Sequence, residues 1–523
     1  MLTAWRVSDI RGAEEIRLAE VAEGALMQRA AAGLAAVCAR ELRSRTGGVS
    51  GRRVVLLVGA GNNGGDALYA GERLARRGAR VDAVLLAAVG RVHQEGAAAL
   101  RAAGGRVVFG EDAAAVSAVL TPAQLVIDGI VGLGGSPGLR EDATRAVSAI
   151  GPCAVVVAVD LPSGVDPDTG ELPPPDEQGR SRHVTAEVTV TFGAHKPCLL
   201  LPPAASVCGR VELVDIGLGP LLPLAPAVQR FESPDAARCW PVPGTADHKF
   251  TRGVLGMMIG SPHYPGAAVL GVAGAQRAGA GLVRYLGSRE VADGVLAAHP
   301  ETVIGVGAGD RVDAWVIGSG LAPAMVLEEF AARDELHGVP AVLDAGGLVL
   351  AERPLLPRRA VLTPHAGEAA RLLARLGEPA SREAVEAAPV HHARRVAELT
   401  GAVVVLKGAT TLIVQSADGA SERAERLAAQ ADATPWLATA GAGDVLAGVI
   451  GALLASGRDP FEAACTAVLV HGRAARLAAG CHPDGSGGGP ITAGDVAAAL
   501  PRAVRGLLDL AGRAEASPAR IIR

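Results

Sequence analysis

Apolar positions along this chain recur in two rhythms. Over residues 7–45, Ala, Leu and Met return every third or fourth position with almost no breakers, the spacing of a helical face, and two covering helices are expected there. From residue 53 short unbroken apolar runs take over, at 53–58, 81–86, 125–128, 154–159 and 188–192, with helical spacing between them, as at 67–77. Strands that alternate with helices predict an α/β fold built on a parallel, doubly wound sheet.

The alternation stops between residues 217 and 243, where Pro220, Pro223, Pro226, Pro234, Pro241 and Pro243 crowd together. It restarts with apolar runs at 254–259, 314–317, 341–344, 359–362, 402–406 and 411–414. A chain of 523 residues also exceeds the size at which a single core keeps growing. Two domains are therefore expected, 1–225 and 243–523, joined by a proline-rich linker at 226–242. Residues 254–276 carry no Lys, Arg, Asp or Glu and are long enough to span a bilayer, but Pro262, His263, Pro265 and repeated glycines interrupt them. They are read as strand, loop and buried helix.

Charge narrows the function. With 50 basic and 54 acidic residues the chain has no electrostatic footprint for nucleic acid or an anionic membrane, so small-molecule substrates are expected, acted on by a homo-oligomer. Seven scattered cysteines without Cys-x-x-Cys spacing argue against a disulfide framework or zinc site. Arg6, Asp9 and Arg11 stand where a secretory peptide needs apolar residues, and a cytoplasmic location is expected.

Two glycine-rich turns carry the chemistry: Gly61-Asn62-Asn63-Gly64-Gly65-Asp66 after the first apolar run, and Gly441-Ala442-Gly443-Asp444 before the apolar helical run at 445–454. Glycines let backbone N–H groups approach a phosphate, and a helix N-terminus adds unpaired amides. An aspartate beside such a cradle suits proton transfer, a hydroxyl or a cation. Ligands in open α/β sheets bind beyond the carboxyl ends of strands. In the first half this gathers residues 61–66, Asp128 with the run Gly132, Leu133, Gly134, Gly135, Ser136, Pro137 and Gly138, and Asp160 with Ser163. Asn63, Asp66, Asp128, Asp160 and Ser163 form an oxygen-rich set suited to a hard cation and acid–base work. Asn63 and Asp66 as helix caps, and 160–164 as a plain turn, remain the alternative.

Residues 7–218, by the runs 62–66, 160–166 and 191–197, resemble the YjeF amino-terminal domain of NAD(P)H-hydrate epimerases. The resemblance implies a Rossmann-like αβα domain. It also implies that Asn62, Asn63, Gly64, Gly65, Asp66, Gly132 to Gly138 and Asp160 bind the hydrated nicotinamide nucleotide. Asn63, Asp128 and Ser163 would hold K+, with Asp128 the candidate acid–base. Ala67 stands where the family commonly has glycine, and its methyl is expected to tighten the approach to substrate. His195 and Lys196 invite a catalytic role, but a surface pair after a strand is at least an equal reading, and they are left out of the site.

Residues 235–503 resemble the ribokinase-like superfamily and, within it, the ADP-dependent NAD(P)H-hydrate dehydratases. The carrying words are His248-Lys249 with Arg252-Gly253, and the runs 264–270, 279–283, 362–368 and 406–411. The resemblance implies a second three-layer αβα domain in which Lys407, Gly408, Ala409, Thr410, Thr411 and Gly443 bind the nucleotide. Ala268, Gly320, His365 and Asp444 would face the hydrate, with Asp444 catalytic. Ser319 and Ala366 stand where the family has proline, and His248-Lys249 lacks its usual glycine. Without the motif, His365 reads as a loop histidine and Lys407 as a solvated lysine.

The implied chemistry is consistent across the halves. Hydroxide leaves poorly and phosphate readily, so phosphorylating the hydrate's hydroxyl at the expense of ADP makes loss of water feasible. Mg2+ is expected to screen the phosphates, although no carboxylate cage is evident. An epimerase completes the repair, because a stereospecific dehydratase leaves one epimer untouched. A ribokinase-like small-molecule kinase, or a non-catalytic first half acting as a binding module, are the rival readings.

Overall fold

The protein is described here by a computed structural model covering residues 1–516 except 136, 308–309, 353–354, 358 and 418–423. It divides into two compact units, Thr3–Val228 and Gln229–Arg523, the second also taking in Met1–Leu2. Strands are numbered along the chain from β1 (Leu2–Ala4).

In the first unit β2 (Arg53–Val58), β3 (Arg80–Leu85), β4 (Arg106–Phe109), β5 (Leu125–Gly129), β6 (Val155–Val159), β7 (Val188–Phe192) and β8 (Arg210–Val214) form one sheet. Its order is β4-β3-β2-β5-β6-β7-β8, parallel throughout. Val54, Leu56 and Val58 pack into one core cluster, and Val55 and Leu57 into another. Both faces are thus covered, which is why the central strands read as unbroken apolar runs. The two expected covering helices are Val7–Glu20 and Ala25–Thr46. In register, Val58 lies opposite Gly129 and Asp128 opposite Ala158, so the segments after β2, β5 and β6 leave the sheet at the same edge.

The second unit contains β9 (Val228–Arg230), β10 (Val254–Met258), β11 (Leu282–Tyr285), β12 (Val303–Ile304), β13 (Ala314–Ile317), β14 (Ala341–Leu343), β15 (Val361–Leu362), β16 (Val403–Leu406), β17 (Thr411–Gln415) and β18 (Arg426–Gln430). The sheet runs β1-β9-β18-β17-β16-β15-β14-β13-β10-β11-β12. It is parallel from β16 to β12, and β17 lies antiparallel to β16 and β18.

The segment 226–242, expected as a linker, is folded into β9 and the helix Ser233–Cys239. Phe231, Ala236 and Trp240 give it core to bury, which the prolines before it mask in the sequence. The charge-free stretch resolves into β10 and the helix Pro265–Arg277. That helix crosses the buried helix Ala442–Ala455 at near backbone contact: a Cβ on Gly274 would lie 2.4 Å from the Val445 oxygen, and one on Gly448 2.2 Å from the Gly271 oxygen. Among the described residues no helix is long and apolar enough to cross a membrane.

Candidate active sites

The first unit opens a cleft of about 820 Å³ at the carboxyl edge of its sheet, lined by Asn62, Asn63, Asp66, Gly132, Leu133, Gly134, Gly135, Gly138 and Asp160. Residues 62–66 are the first turn of the helix Asn62–Arg76, whose N-cap is Gly61 without a side-chain cap bond. Asn63 and Asp66 are therefore not caps. The Asn63 Nδ2 instead donates to the Val159 oxygen at 2.6 Å, and a Cβ on Gly132 would lie 2.3 Å from the Asn63 Oδ1, so glycine there makes room for the amide. Gly64 and Gly65 serve packing: a Cβ would meet the Gly59 oxygen at 2.5 Å in one case, and Met27 and His93 at 3.0–3.1 Å in the other. Ala67 is wholly buried and lies beside Gly129, away from the cleft lining. Ser136 lies outside the described residues, and Pro137 is not among the lining residues.

The carboxyls of this site have unequal environments. Asp66 is 5 % exposed, its Oδ1 has no hydrogen-bond partner, and burial, then Asp160 and Glu14, push its pKa well above the usual range. Asp160 sits at φ 70° and ion-pairs with Lys196, which also donates to Thr191 Oγ1 and the Phe192 oxygen, each at 3.0 Å. Lys196 is 1 % exposed, so the surface reading of this residue is corrected. Asp128 is fully buried and does not line the cleft. It accepts from Ser163 Oγ at 2.6 Å, Ser163 N at 2.8 Å and Ile130 N at 3.3 Å. Burial pushes it up to about 6 against those bonds.

Arg11, Glu14, Arg91 and Arg140 also line this cleft and were not singled out from the sequence. Their motif-free surroundings gave no signal. Lys196 did have one, in the run 191–197 already quoted.

The second unit carries a cleft of about 860 Å³ lined by His365, Lys407, Gly408, Ala409, Thr411, Ala442 and Gly443, with a far wall from 430–439 and the helix Pro460–Ala479. Ala442, Gly443 and Asp444 form the first turn of a helix whose N-cap, Gly441, has φ 85°. Lys407 Nζ is 2.9 Å from Asp344 Oδ1 and is not simply solvated. Asp344 is the buried hub that sequence reading missed: Ser319 Oγ donates to it at 2.8 Å and Thr363 Oγ1 at 2.7 Å. Burial pushes it up, but Lys407 and these donors hold it below the usual carboxylate range. Asp444 goes the other way, raised to about 6 by burial and by Asp344. A carboxylate ending an apolar run, Asp344 after 341–343, was the available signal.

His365 is the N-cap of the helix Ala366–Arg375, its Nδ1 accepting from Gly367 N and Glu368 N at 3.1 and 3.3 Å. Ala366 is the first residue of that helix, where proline is equally at home. Ala268 is wholly buried, and Gly320, at φ 70°, packs on Ala267 and Tyr264; neither lines this cleft, nor does Thr410.

Residues 255–483 match the family described as NAD(P)H-hydrate dehydratase, and residues 23–198 the family described as YjeF-related protein N-terminus. The chain is similar to the bifunctional NAD(P)H-hydrate repair enzyme Nnr of Mycobacterium leprae, at 46% identity over 486 residues, 91% of this chain and 94% of that protein. It is also similar to the enzyme of that name from Escherichia coli, at 32% over 497 residues, 91% of this chain and 90% of that protein. Over 225 residues, 41% of this chain, it is 46% identical to the NAD(P)H-hydrate epimerase of Clavibacter sepedonicus, of which 90% is covered.

Proposed function

Because the chain belongs to the family of bifunctional NAD(P)H-hydrate repair enzymes, we propose how its two clefts divide the work. It is an NAD(P)H-hydrate epimerase and an NAD(P)H-hydrate dehydratase. The first activity is assigned to the unit Thr3–Val228 and the second to Gln229–Arg523.

In the first cleft Arg11, Arg91 and Arg140 supply cations for the phosphates of the hydrated nucleotide, beside the backbone amides of 61–66. The hydrate bears its hydroxyl next to the ring nitrogen. Inverting that centre requires a proton to be given and recovered while the nitrogen lone pair stabilises the opened carbon. Asp66, whose proton affinity burial and then Asp160 raise, is suited to give that proton. Asp160, fixed by Lys196, orients the ring. The fully buried Asp128 then belongs to a cation site with Ser163 and Asn63. Its donors are all oxygens around one carboxylate, which fits K+, and that ion would supply fixed positive charge behind the glycine loop.

In the second cleft Lys407 and the amides at the turn 442–443 receive the nucleotide phosphates. Asp444, with its raised proton affinity, takes the proton from the hydroxyl of the S hydrate as that oxygen attacks the terminal phosphoryl group of ADP, and the P–O bond to AMP breaks with its electron pair leaving on AMP. The C–O bond then breaks with its electron pair leaving on phosphate, and loss of the neighbouring ring proton restores the dihydronicotinamide. Asp344 is committed to Ser319, Thr363 and Lys407, so the residues present suit Mg2+ carried on the nucleotide as part of the substrate complex, where it neutralises phosphate charge. Seven unpaired cysteines support the cytoplasm as the compartment.

The observation that carries this reading is a pair of strand-end clefts, each with a glycine turn opening a helix and a carboxyl of raised pKa beside it. Product analysis tests it. The S hydrate with Mg·ADP should yield the reduced coenzyme and free phosphate, and accumulation of a stable phosphorylated compound would favour a kinase instead.

A further inference from the structure

Three carboxyls line the first cleft, Glu14, Asp66 and Asp160, and they are not equally free to react. Asp160 is tied to Lys196 and also accepts from Thr191 Oγ1 and Phe192 N, each at 3.2 Å, so its charge is already matched. Asp66 is 5 % exposed and its Oδ1 has no hydrogen-bond partner, which leaves that atom for a ligand in the cleft. Glu14 stands half-buried on the helix Val7–Glu20, and its carboxyl forms no hydrogen bond or ion pair among the described residues.

Inverting the hydrated carbon takes two proton transfers. The hydroxyl must gain a proton to leave as water with the C–O electron pair, while the lone pair of the ring nitrogen closes an iminium. Water then adds to the other face, its oxygen forming the new C–O bond, and it must lose a proton. One group gives and a second takes. The surroundings of Asp66 and Glu14 separate the two roles. Burial, then Asp160 and Glu14, push the pKa of Asp66 well above the usual range. Burial and Asp160 raise Glu14 as well, but Lys196 and Arg11 pull it back. Neighbouring carboxyls whose environments push their proton affinities apart are suited to act as an acid and a base. They also enter from different helices, Val7–Glu20 and Asn62–Arg76, which lets a ring seated between them present one face to each.

We infer that Glu14 is the second catalytic carboxyl of the first cleft, taking the proton from the water that adds to the ring after Asp66 has given one to the departing hydroxyl. This rests on Asp66 as the donor. Each inversion expels one water and adds one, moves one proton from Asp66 to Glu14 and consumes no co-reactant. The reverse inversion runs with the roles exchanged, and between turnovers in one direction the proton returns to Asp66, its stronger holder.

Epimerisation by the full-length protein without ADP, so that the dehydratase is silent, tests the proposal. Glu14→Gln should lower epimerase kcat by about 10²–10⁴, the usual worth of a positioned acid or base, with the Michaelis constant little changed. Glu14→Asp should keep more of the rate than Glu14→Gln. In Glu14→Ala, added formate should restore part of the rate by replacing the missing carboxylate, and the dehydratase activity seen once Mg·ADP is supplied should match wild type. Wild type in isotopically labelled water should place solvent oxygen in the inverted epimer. A Glu14→Gln variant as fast as wild type, or a Glu14→Ala variant that formate leaves inactive, would overturn the role of Glu14, and an inverted epimer that keeps its original oxygen would overturn the water step. An Asp66→Asn variant that epimerises at the wild-type rate while Glu14→Gln does not would instead remove Asp66 as the donor and leave Glu14 in place.

Discussion

The two clefts are nearly equal in volume, about 820 and 860 Å³, and both open where parallel strands end, yet their walls differ in kind. The first is lined by three arginines and by Glu14, Asp66 and Asp160; the second has one lysine, one aspartate and two histidines among neutral polar and apolar side chains and a glycine turn. The same topological position thus supports two strategies. A wall with a protonatable carboxyl and fixed cations can invert a hemiaminal centre by moving a proton. A drier wall with directed amides can hold a nucleotide while a hydroxyl is turned into a better leaving group. Fold alone does not distinguish these, and the side chains at the strand ends do.

The sharpest way to separate the clefts is to disable one base. Asp444→Asn should lower dehydratase kcat by about 10²–10⁴, the usual worth of a positioned base. Epimerisation by the same full-length variant should stay at the wild-type rate, and coupled loss of both activities would break the comparison.

Lys196→Met should come next in size. It leaves Asp160 buried without its cation, and breaking a buried pair costs about 3–5 kcal/mol. The first unit should melt earlier by calorimetry and lose epimerase activity. A variant as stable as wild type would mean that Asp160 finds another partner.

A pH series refines the second cleft. Asp444 must be ionised to accept a proton, so dehydratase kcat/KM should fall as pH drops through about 6. Asp344 is the like charge that raises Asp444. Asp344→Asn removes it, and the acid limb should move to lower pH while the Michaelis constant for ADP rises as Lys407 loses its anchor. A limb that stays in place would assign the titration to another group.

The smallest effect is expected at Ser319. Its hydroxyl donates to Asp344, and Ser319→Ala should cost roughly 0.5–1.5 kcal/mol, a two- to tenfold loss in kcat/KM. Ser319→Pro, the residue the family resemblance leads one to expect here, should fall in the same range.

Much of this architecture was legible because buried parallel strands are apolar on both faces. The runs at 53–58, 188–192 and 314–317 became β2, β7 and β13 with unchanged bounds. The strands that escaped notice are edge or short ones of mixed polarity. β4 and β8 are half exposed, and their arginines and glutamate break any apolar signal. The glycine turns were legible because the chain needs backbone there: Gly441 at φ 85° and Gly132 against Asn63 have no room or conformation for a side chain. Partnerships across the sequence were not. Nothing local to Asp344 announces Lys407, 63 residues away, and nothing local to Lys196 announces that it is buried against Asp160. Asp128 shows the same limit, since its place at a strand end is legible and its bonds to Ser163, 35 residues away, are not.

The most direct measurement follows a racemic mixture of hydrate epimers supplied with Mg·ADP to the full-length protein and to Asp66→Asn. Wild type should convert all of it to reduced coenzyme with matching release of phosphate, and the variant should convert the S half quickly and then stall. Complete conversion by Asp66→Asn at the wild-type rate, or a stall at one half in wild type, would contradict the division of labour between the two clefts.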